Sequence, residues 1–194
     1  MPRACPKPPL NYQTRIPERI PNFYGELGDN TDSDSHVPVA VSGLTSGVSA
    51  ITAGSDHTCA VVNGGAQCWG DDYYGQLGDN SITGSHVPVA VWGLTSGVSA
   101  ITAGSHHTCA LVNGGVQCWG FNVNGELGDN TTTDSHVPVA VSGLTSGVSA
   151  ISACYYTTCA VVNGGVQCWG FNVNGGLGDN TTTDRAVPVQ VQFP

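Results

Sequence analysis

A block of 50 residues recurs along this chain almost letter for letter, and this period constrains the fold more than any other feature. Residues 59–108 form one copy and residues 109–158 a second, while residues 24–58 and 159–194 match the end and the beginning of further copies. Self-similarity at about 20–50 residues is typical of solenoids, propellers and repeat arrays. Units of such proteins bury their apolar faces against neighbouring units. We therefore expect function to lie on a surface that several copies build together.

The chain divides into a short arm and a repeat region. Residues 24–194 contain about 3.4 copies of the 50-residue repeat, whereas residues 1–23 differ from it. This first stretch contains six of the eleven prolines and four of the five basic residues (Arg3, Lys7, Arg15 and Arg19). Its composition predicts an irregular, proline-rich arm. The arm lacks the apolar run of a signal peptide, and no stretch of the chain approaches the length of a membrane-spanning helix.

The charge of the repeat region argues against nucleic acids and anionic membranes as partners. The net charge of the chain is −9, and from Tyr24 onward Arg185 is the only basic residue against thirteen Asp and Glu. Binding to phosphates requires Lys and Arg that displace counterions. We therefore predict that the chain binds neither nucleic acid nor a membrane.

Four short, apolar, β-rich runs occur in each period, separated by polar or glycine-rich turns. In the most regular copy they are residues 98–103, 107–112, 116–120 and 137–141. Regularly spaced short strands predict an all-β fold, and four strands in about 50 residues is the size of one propeller blade. The second and third runs are apolar on both faces, which fits a blade that lies between two others.

Six of the eight cysteines occur in pairs across a predicted hairpin. If Asn63-Gly64 is a two-residue turn, then Cys59 faces Cys68 in a non-hydrogen-bonded pair, where side chains come closest. This arrangement is compatible with a disulfide, and a three-residue turn would shift the register by one. The predicted disulfides are Cys59–Cys68, Cys109–Cys118 and Cys159–Cys168.

Reduced thiols and a zinc site are the alternatives for these cysteines. His57 and His107 are the histidines that could complete a zinc site, but the third copy has Thr157 at the same position. The spacing of the cysteine pairs also differs from that of structural zinc ligands. We therefore predict no metal site.

The repeat contains motifs that resemble a known family. Residues 118–130 read C-W-G-F-N-V-N-G-E-L-G-D-N, and Gly104, His107 and Thr108 stand in phase with them as G-x-x-H-T. This pattern resembles the RCC1 repeat of the regulator of chromosome condensation family of β-propellers. The resemblance implies four-stranded blades, typically seven to a ring, and a histidine that forms hydrogen bonds within its own blade. About 3.4 repeats are too few for such a ring, so we expect an incomplete or open propeller.

The family resemblance also implies functions, which the residues of this chain limit. Family members act mostly as binding platforms, and the founding member is a guanine-nucleotide exchange factor for a small GTPase that docks on chromatin. Chromatin docking needs basic segments that this repeat region lacks. A plant relative senses UV-B through tryptophans, but the matching positions here are Ser55, Ser105 and Tyr155.

Positions that break the repeat are the predicted binding surface. Aromatic residues in loops are typical contact anchors in interfaces, although drift among duplicated copies would produce the same pattern. These positions are Asp71, Asp72, Tyr73, Tyr74, Trp92, Tyr155 and Tyr156. No catalytic motif is present, so we predict neither an enzyme nor a cofactor.

Taken together, the sequence predicts a non-enzymatic module that binds a protein or has a structural role. An exchange-factor-like regulator of a small GTPase is one alternative, and a subunit that assembles into rings or filaments through open blade edges is another. The paired cysteines favour an extracellular or cell-envelope location, with the cytoplasm as the alternative.

Overall fold

The computed structural model describes residues 22–192, and these residues form three four-stranded antiparallel sheets with no helix among them. Within each sheet, every strand pairs with the next one along the chain. The strands are β1 (Val48–Ala53), β2 (His57–Val62), β3 (Gly65–Gly70) and β4 (Ser85–Ala90); β5 (Val98–Ala103), β6 (His107–Val112), β7 (Gly115–Gly120) and β8 (Ser135–Ala140); β9 (Val148–Cys154), β10 (Thr157–Val162), β11 (Gly165–Gly170) and β12 (Arg185–Gln190). The prediction of an all-β fold built from four-stranded blades is confirmed.

The blades are out of phase with the copies that the sequence displays. The first blade spans residues 48–90, so the copy that begins at residue 59 starts inside β2. The period of a repeat gives the length of the structural unit but not the residue at which the unit begins. The third blade is consequently complete, because β9 lies before residue 159. The predicted arm lies mostly outside the described residues, apart from Asn22 and Phe23.

The hairpin of each blade has the predicted two-residue turn. Asn63 and Gly64 have φ values of 52° and 79°, and two consecutive positive φ values are what a type I′ turn requires. Val62 therefore faces Gly65, and Cys59 faces Cys68, with the same register in the other two blades. The three predicted disulfides are present, each with its Cα atoms 4.0 Å apart. The disulfide prediction is confirmed, and these cysteines are not available as zinc ligands.

Neighbouring blades pack with the disulfide face of one against the tryptophan face of the next. Cys59, Val61 and Cys68 of the first blade form one buried cluster with Ala110 and Trp119 of the second. An equivalent cluster joins the second blade to the third. The two-sided apolar character of the hairpin strands is explained by these contacts, since the hairpin of the second blade packs against the first blade on one face and against the third on the other.

A loop from each blade crosses to the next and seals its tryptophan. The carbonyl oxygen of Gln76 accepts a hydrogen bond from Nε1 of Trp119 (2.9 Å) and another from Oγ1 of Thr108 (2.9 Å). Gly78 lies directly against the indole, with φ of +70°, and a Cβ atom there would lie 2.6 Å from Nε1. A glycine is therefore required at this position by both backbone conformation and space.

A buried histidine completes the junction between blades. Nε2 of His57 lies 2.9 Å from Oγ1 of Thr108, and His107 bonds in the same way to Thr158 at 2.8 Å. Because the hydroxyl of Thr108 donates to the Gln76 carbonyl, Nε2 of His57 must be the donor to Thr108. The expectation of a hydrogen bond within the blade was wrong, since the bond crosses to the next blade. Burial lowers the pKa of His57 to about 3, so the ring is neutral.

The two ends of the described array are open. Residues 22–47 cover the first blade, where Nε1 of Trp69 donates to the carbonyl of Glu26 at 2.8 Å, but they form no strand. Ile51 of the edge strand β1 remains 64% exposed. At the other end, Val161 and Cys159 are partly exposed, although their equivalents Val61 and Cys59 are fully buried. An open propeller-like arrangement was predicted and is confirmed.

Candidate functional site

Two loops of each blade meet at one end of the sheet. The first follows the first strand of the blade, and the second follows its third strand. In the second blade the amide of Phe121 donates to the carbonyl of His106 at 2.9 Å, and in the third blade Phe171 donates to Tyr156 at 2.8 Å. The loops also connect across blades, because the amide of Ser105 donates to the carbonyl of Tyr155 at 2.8 Å. Backbone hydrogen bonds therefore hold these loops in one line over all three blades.

Six aromatic rings follow this line, and we call them the aromatic row. Tyr74 of the first blade contacts Phe121 of the second, with ring centroids 5.0 Å apart. Phe121 contacts Tyr156 of the third blade at 5.7 Å. Such edge and tilted contacts are favourable geometries for aromatic pairs. The row consists of Tyr73, Tyr74, His106, Phe121, Tyr156 and Phe171.

Three carboxylates, which we call the acidic end, lie beside the first blade's part of the row. Glu26, Asp56 and Asp71 are close enough to influence one another: burial raises the pKa of Glu26, and the charges of the other two raise it further. Burial also raises the pKa of Asp56, while the neighbouring His106 opposes this. The amide of Asp71 donates to the carbonyl of Asp56 at 2.7 Å, which fixes the two loops together. The surface thus changes from acidic to aromatic along its length.

Asp72, one of the predicted surface residues, is instead buried within its loop. Its Oδ1 accepts the amide of Leu77 at 2.9 Å, and its Oδ2 accepts the hydroxyl of Ser81 at 3.0 Å. Asn122 stands at the same place in the second blade and accepts the amide of Leu127 at 2.9 Å. Burial raises the pKa of Asp72 to about 7. The residue therefore holds the loop that carries Tyr73 and Tyr74.

The structure brings together some of the other predicted residues and separates the rest. Tyr73, Tyr74 and Tyr156 are in the row, and Asp71 is at the acidic end. Tyr155 is adjacent to the row in sequence and has a positive φ of 50°. Trp92 is 61% exposed but lies in the turn after β4, away from the row.

Sequence reasoning missed five residues of the row and the acidic end. Asp56 and His106 occupy, in the first two blades, the position of the predicted Tyr156, so a comparison of the copies at that position would have indicated them as well. Phe121 and Phe171 were assigned to the repeat consensus and not to a surface. Glu26 lies in the partial first copy, where the comparison with whole copies was weakest. The missed residues are Glu26, Asp56, His106, Phe121 and Phe171.

Cys154, at the end of β9 and two residues before Tyr156, is also disulfide-bonded. Between residues 22 and 192 no cysteine is free. The structure shows no helix in that range long and apolar enough to cross a membrane.

The blades are stacked four-stranded sheets, and a loop from one blade covers the tryptophan of the next. This arrangement defines a β-propeller repeat protein. Models of the regulator of chromosome condensation (RCC1) repeat match residues 21–61, 63–111 and 113–161, and a second RCC1 repeat model matches residues 48–76 and 98–126. The chain belongs to the RCC1 repeat family, as its motifs predicted. A search of curated protein sequences finds no significant match.

Solved structures show the same fold. Human WBSCR16 is 27% identical, with a TM-score of 0.77 over 89% of this chain and 47% of the human chain. Two structures of Saccharomyces cerevisiae Prp20, the yeast RCC1, have TM-scores of 0.66 and 0.65 at 21% and 22% identity. Each covers 76% of this chain, which corresponds to 37% and 39% of the Prp20 chains. This chain therefore spans less than half the length of the structures it matches.

Proposed function

We propose that this chain is a non-enzymatic module that binds a protein partner through the aromatic row and its acidic end. The observation that carries the proposal is the continuity of the row over three blades, where Tyr74, Phe121 and Tyr156 form successive ring contacts of 5.0 and 5.7 Å. Aromatic side chains dominate interface energetics, and loops held by a rigid scaffold are where binding residues concentrate. One of the Prp20 structures is a complex with Kap60, and Prp20 is also described as binding Gsp1p and histones. These similarities support a binding role.

The charge of the site suggests the chemistry of the partner. Glu26, Asp56 and Asp71 supply negative charge beside the rings, in a repeat region that contains thirteen acidic residues and one arginine. Lys and Arg side chains pair with carboxylates and also lie favourably over aromatic faces. A segment with positive charge is therefore the ligand that fits this surface. The three disulfides favour an oxidising compartment, and we place the protein at the cell surface or outside the cell.

A peptide titration tests this role. The full chain is titrated by calorimetry at low salt with a short alternating Arg-Pro peptide and with its Glu-Pro counterpart. The titration is carried out without reductant, so that the three blade disulfides stay intact. We expect the basic peptide to bind and the acidic one not to bind. The replacement Tyr74→Asn, which installs the residue of the next two copies, should weaken binding about tenfold.

Trp92→Ser is the matched control, because it also installs the residue of other copies but lies outside the row. It should leave the affinity unchanged. Equal binding of both peptides, or equal loss in the two variants, would contradict the proposed role of the row. Binding of neither peptide by any variant would contradict the preference for basic segments.

Assembly is a second candidate function, and the exposed face of the third blade favours it. Val161 and Cys159 occupy a face whose equivalents in the first two blades are covered by the next blade. The ligand for this face would be the first blade of a second copy, where Ile51 is 64% exposed, in a head-to-tail contact that propagates if it does not close. Light scattering after gel filtration distinguishes the cases. A mass that stays at 19.9 kDa at high concentration would exclude assembly.

A further inference from the structure

Residues 35–47, which we call the leading segment, have the sequence of a blade's outer strand but form no strand in the structure. They read S-H-V-P-V-A-V-S-G-L-T-S-G and are identical to residues 135–147, whose first six residues are β8. Val141 is buried just after β8, whereas its equivalent Val41 is partly exposed and Val37 is 69% exposed. Within residues 22–192, the apolar side chains of the leading segment are therefore not covered as those of its equivalent are.

The leading segment already has the backbone conformation of its equivalent in the second blade. Gly43 and Gly143 both have a φ of 75°. The amide of Ser42 donates to the carbonyl of Gly28 at 2.8 Å, and the matching bond in the second blade measures 2.9 Å. The hydroxyl of Ser35 donates to the carbonyl two residues further on at 2.7 Å, the same distance as in β8. A segment that is held in its bound conformation loses little entropy on binding.

The third blade contains a strand that fits the leading segment. β11 has the same sequence as β7, G-V-Q-C-W-G, and β7 is the strand that pairs with β8. Cys118 faces Val139 in the second blade, and Cys168 faces Val189 of β12 in the third. β12 reads R-A-V-P-V-Q and keeps only the central V-P-V of β8. β11 can therefore pair with the leading segment in the register that it uses for β12.

Direct stacking of two copies is obstructed, because both bring the same stretch of the repeat to the junction. Inside the chain one such stretch serves each junction: residues 122–142 contain β8 and the loop that covers Trp169 of the next blade. Between copies, residues 172–192 of one copy and residues 22–42 of the other would fill the same place. One of these two stretches must therefore leave when the copies join.

The stretch that leaves is the one with fewer contacts to a neighbouring blade. Residues 22–42 are bound to the first blade, because the Glu26 carbonyl accepts Nε1 of Trp69 at 2.8 Å. Residues 172–192 cover no tryptophan of a following blade within the described part of the chain. We propose that two copies join by strand exchange, in which the leading segment of one copy replaces β12 on β11 of the other. This inference rests on assembly, the second candidate function, and identifies its interface.

The exchange covers apolar faces that are exposed in a single copy. β1 of one copy packs against β9 and β10 of the other, as β5 packs against β1 and β2 inside the chain. Ile101 of β5 is 8% exposed under the first blade, whereas its equivalent Ile51 of β1 is 64% exposed. Replacing one outer strand by another in the same register changes little else, apart from the ion pair of Arg185 with Asp179 at 2.7 Å. The burial of both faces therefore favours the joined form.

Disulfide trapping between two single variants of the full chain tests the exchange. In the second blade Ala140 faces Gln117 in a non-hydrogen-bonded pair, where side chains come closest and a disulfide fits. Ala40→Cys and Gln167→Cys place one thiol each at the matching positions of the leading segment and of β11. The two variants are mixed at high concentration and oxidised in air without reductant. A non-reducing peptide map should show residue 40 of one copy joined to residue 167 of the other.

Gln117→Cys is the matched control, because it has the same position in a blade whose faces are both covered. Its link to residue 40 should be about tenfold less abundant than the link of residue 167. Arg185→Ser, added to Gln167→Cys, removes the ion pair that holds β12 and should increase the link to residue 40. Equal links to residues 117 and 167 would overturn the assignment to the third blade.

Light scattering of the same mixtures separates the exchange from assembly in general. A joined form of twice the chain mass that contains the 40–167 link is the expected result. A joined form without this link would overturn the exchange and leave assembly standing. A mass of 19.9 kDa at all concentrations would contradict both. Binding of the Arg-Pro peptide to the aromatic row is measured separately and does not depend on any of these outcomes.

Discussion

Replacing Asp72 by asparagine should stabilise this protein, and by an amount that depends on pH. Asp72 is fully buried, and burial raises its pKa from 3.8 to about 7. The equivalent residues Asn122 and Asn172 are amides that donate to two loop carbonyls, such as those of Thr131 (3.2 Å) and Thr133 (3.0 Å) for Asn122. A carboxylate has no hydrogen to donate there. The first blade therefore has a carboxyl group where the other two blades have an amide that donates to loop carbonyls.

The size and sign of the effect follow from this raised pKa. The folded state holds a proton that the unfolded state releases at about pH 3.8, so wild-type stability is fully present below that pH and falls as the pH rises towards 7. At about 1.4 kcal/mol per pH unit, the upper bound of the loss is about 4 kcal/mol. The effective dielectric constant inside proteins is higher than that of a dry interior, so about 2 kcal/mol is the expected gain for Asp72→Asn above pH 7.

Guanidinium unfolding without reductant, from pH 4 to pH 9, measures this gain as the difference between variant and wild type. The difference should increase between about pH 4 and pH 7 and then stay level. Taking a difference removes the contributions of His57 and His107, which are common to both proteins. Asn122→Asp is the reciprocal control, because it should introduce the same loss in the second blade. If Asp72→Asn and wild type unfold with a constant difference over the whole range, the reasoning is refuted.

Three further changes test the junctions and the hairpins by the free energy of unfolding. Gly78→Ala should cost more than about 2 kcal/mol, because the new Cβ atom meets the indole of the next blade. Gly93 has a similar φ of +73° but open space around it, so Gly93→Ala should cost about 1 kcal/mol. Equal costs for the two variants would contradict the close contact at Gly78. Thr108→Val should cost about 2–3 kcal/mol, since it leaves the buried Nε2–H of His57 without an acceptor, although the Gln76 carbonyl keeps its bond from Trp119, and Thr108→Ser should restore most of the loss. Paired replacement of Cys109 and Cys118 by serine should cost about 2–3 kcal/mol in unfolding without reductant; an unchanged midpoint in the variant would show that the bridge adds nothing.

The hairpin could be predicted to the residue because its information is local. Two adjacent residues, Asn63 and Gly64, fix the turn, and the turn fixes which residues face each other up to Cys59 and Cys68. The same local reasoning identified the blades and their two apolar faces. The positions of β2 and its equivalents followed without error for the same reason.

The row could not be predicted in this way, because it depends on how blades are placed side by side. Tyr74 and Phe121 are 47 positions apart in the sequence. The length of the repeat does not indicate which loops of successive blades lie side by side. The histidine junction was missed for the same reason, since His57 and Thr108 come from different blades. Asp72 shows the converse error: a charged loop residue suggests exposure, and only the hydrogen bonds of the folded loop show its burial.

The histidine–threonine junction recurs unchanged one period later, as His57 with Thr108 and then His107 with Thr158. A junction that repeats in this way makes the first two blades interchangeable, because each presents the same histidine to the threonine of the blade after it. Near-identical tandem units invite unequal recombination, which adds or removes whole copies at once. An added copy would already have both of the faces that pack against neighbouring blades. The loss of a copy would leave two faces that still pack against each other. Relatives of this chain should therefore differ in length by steps of one blade far more readily than by changes within a blade.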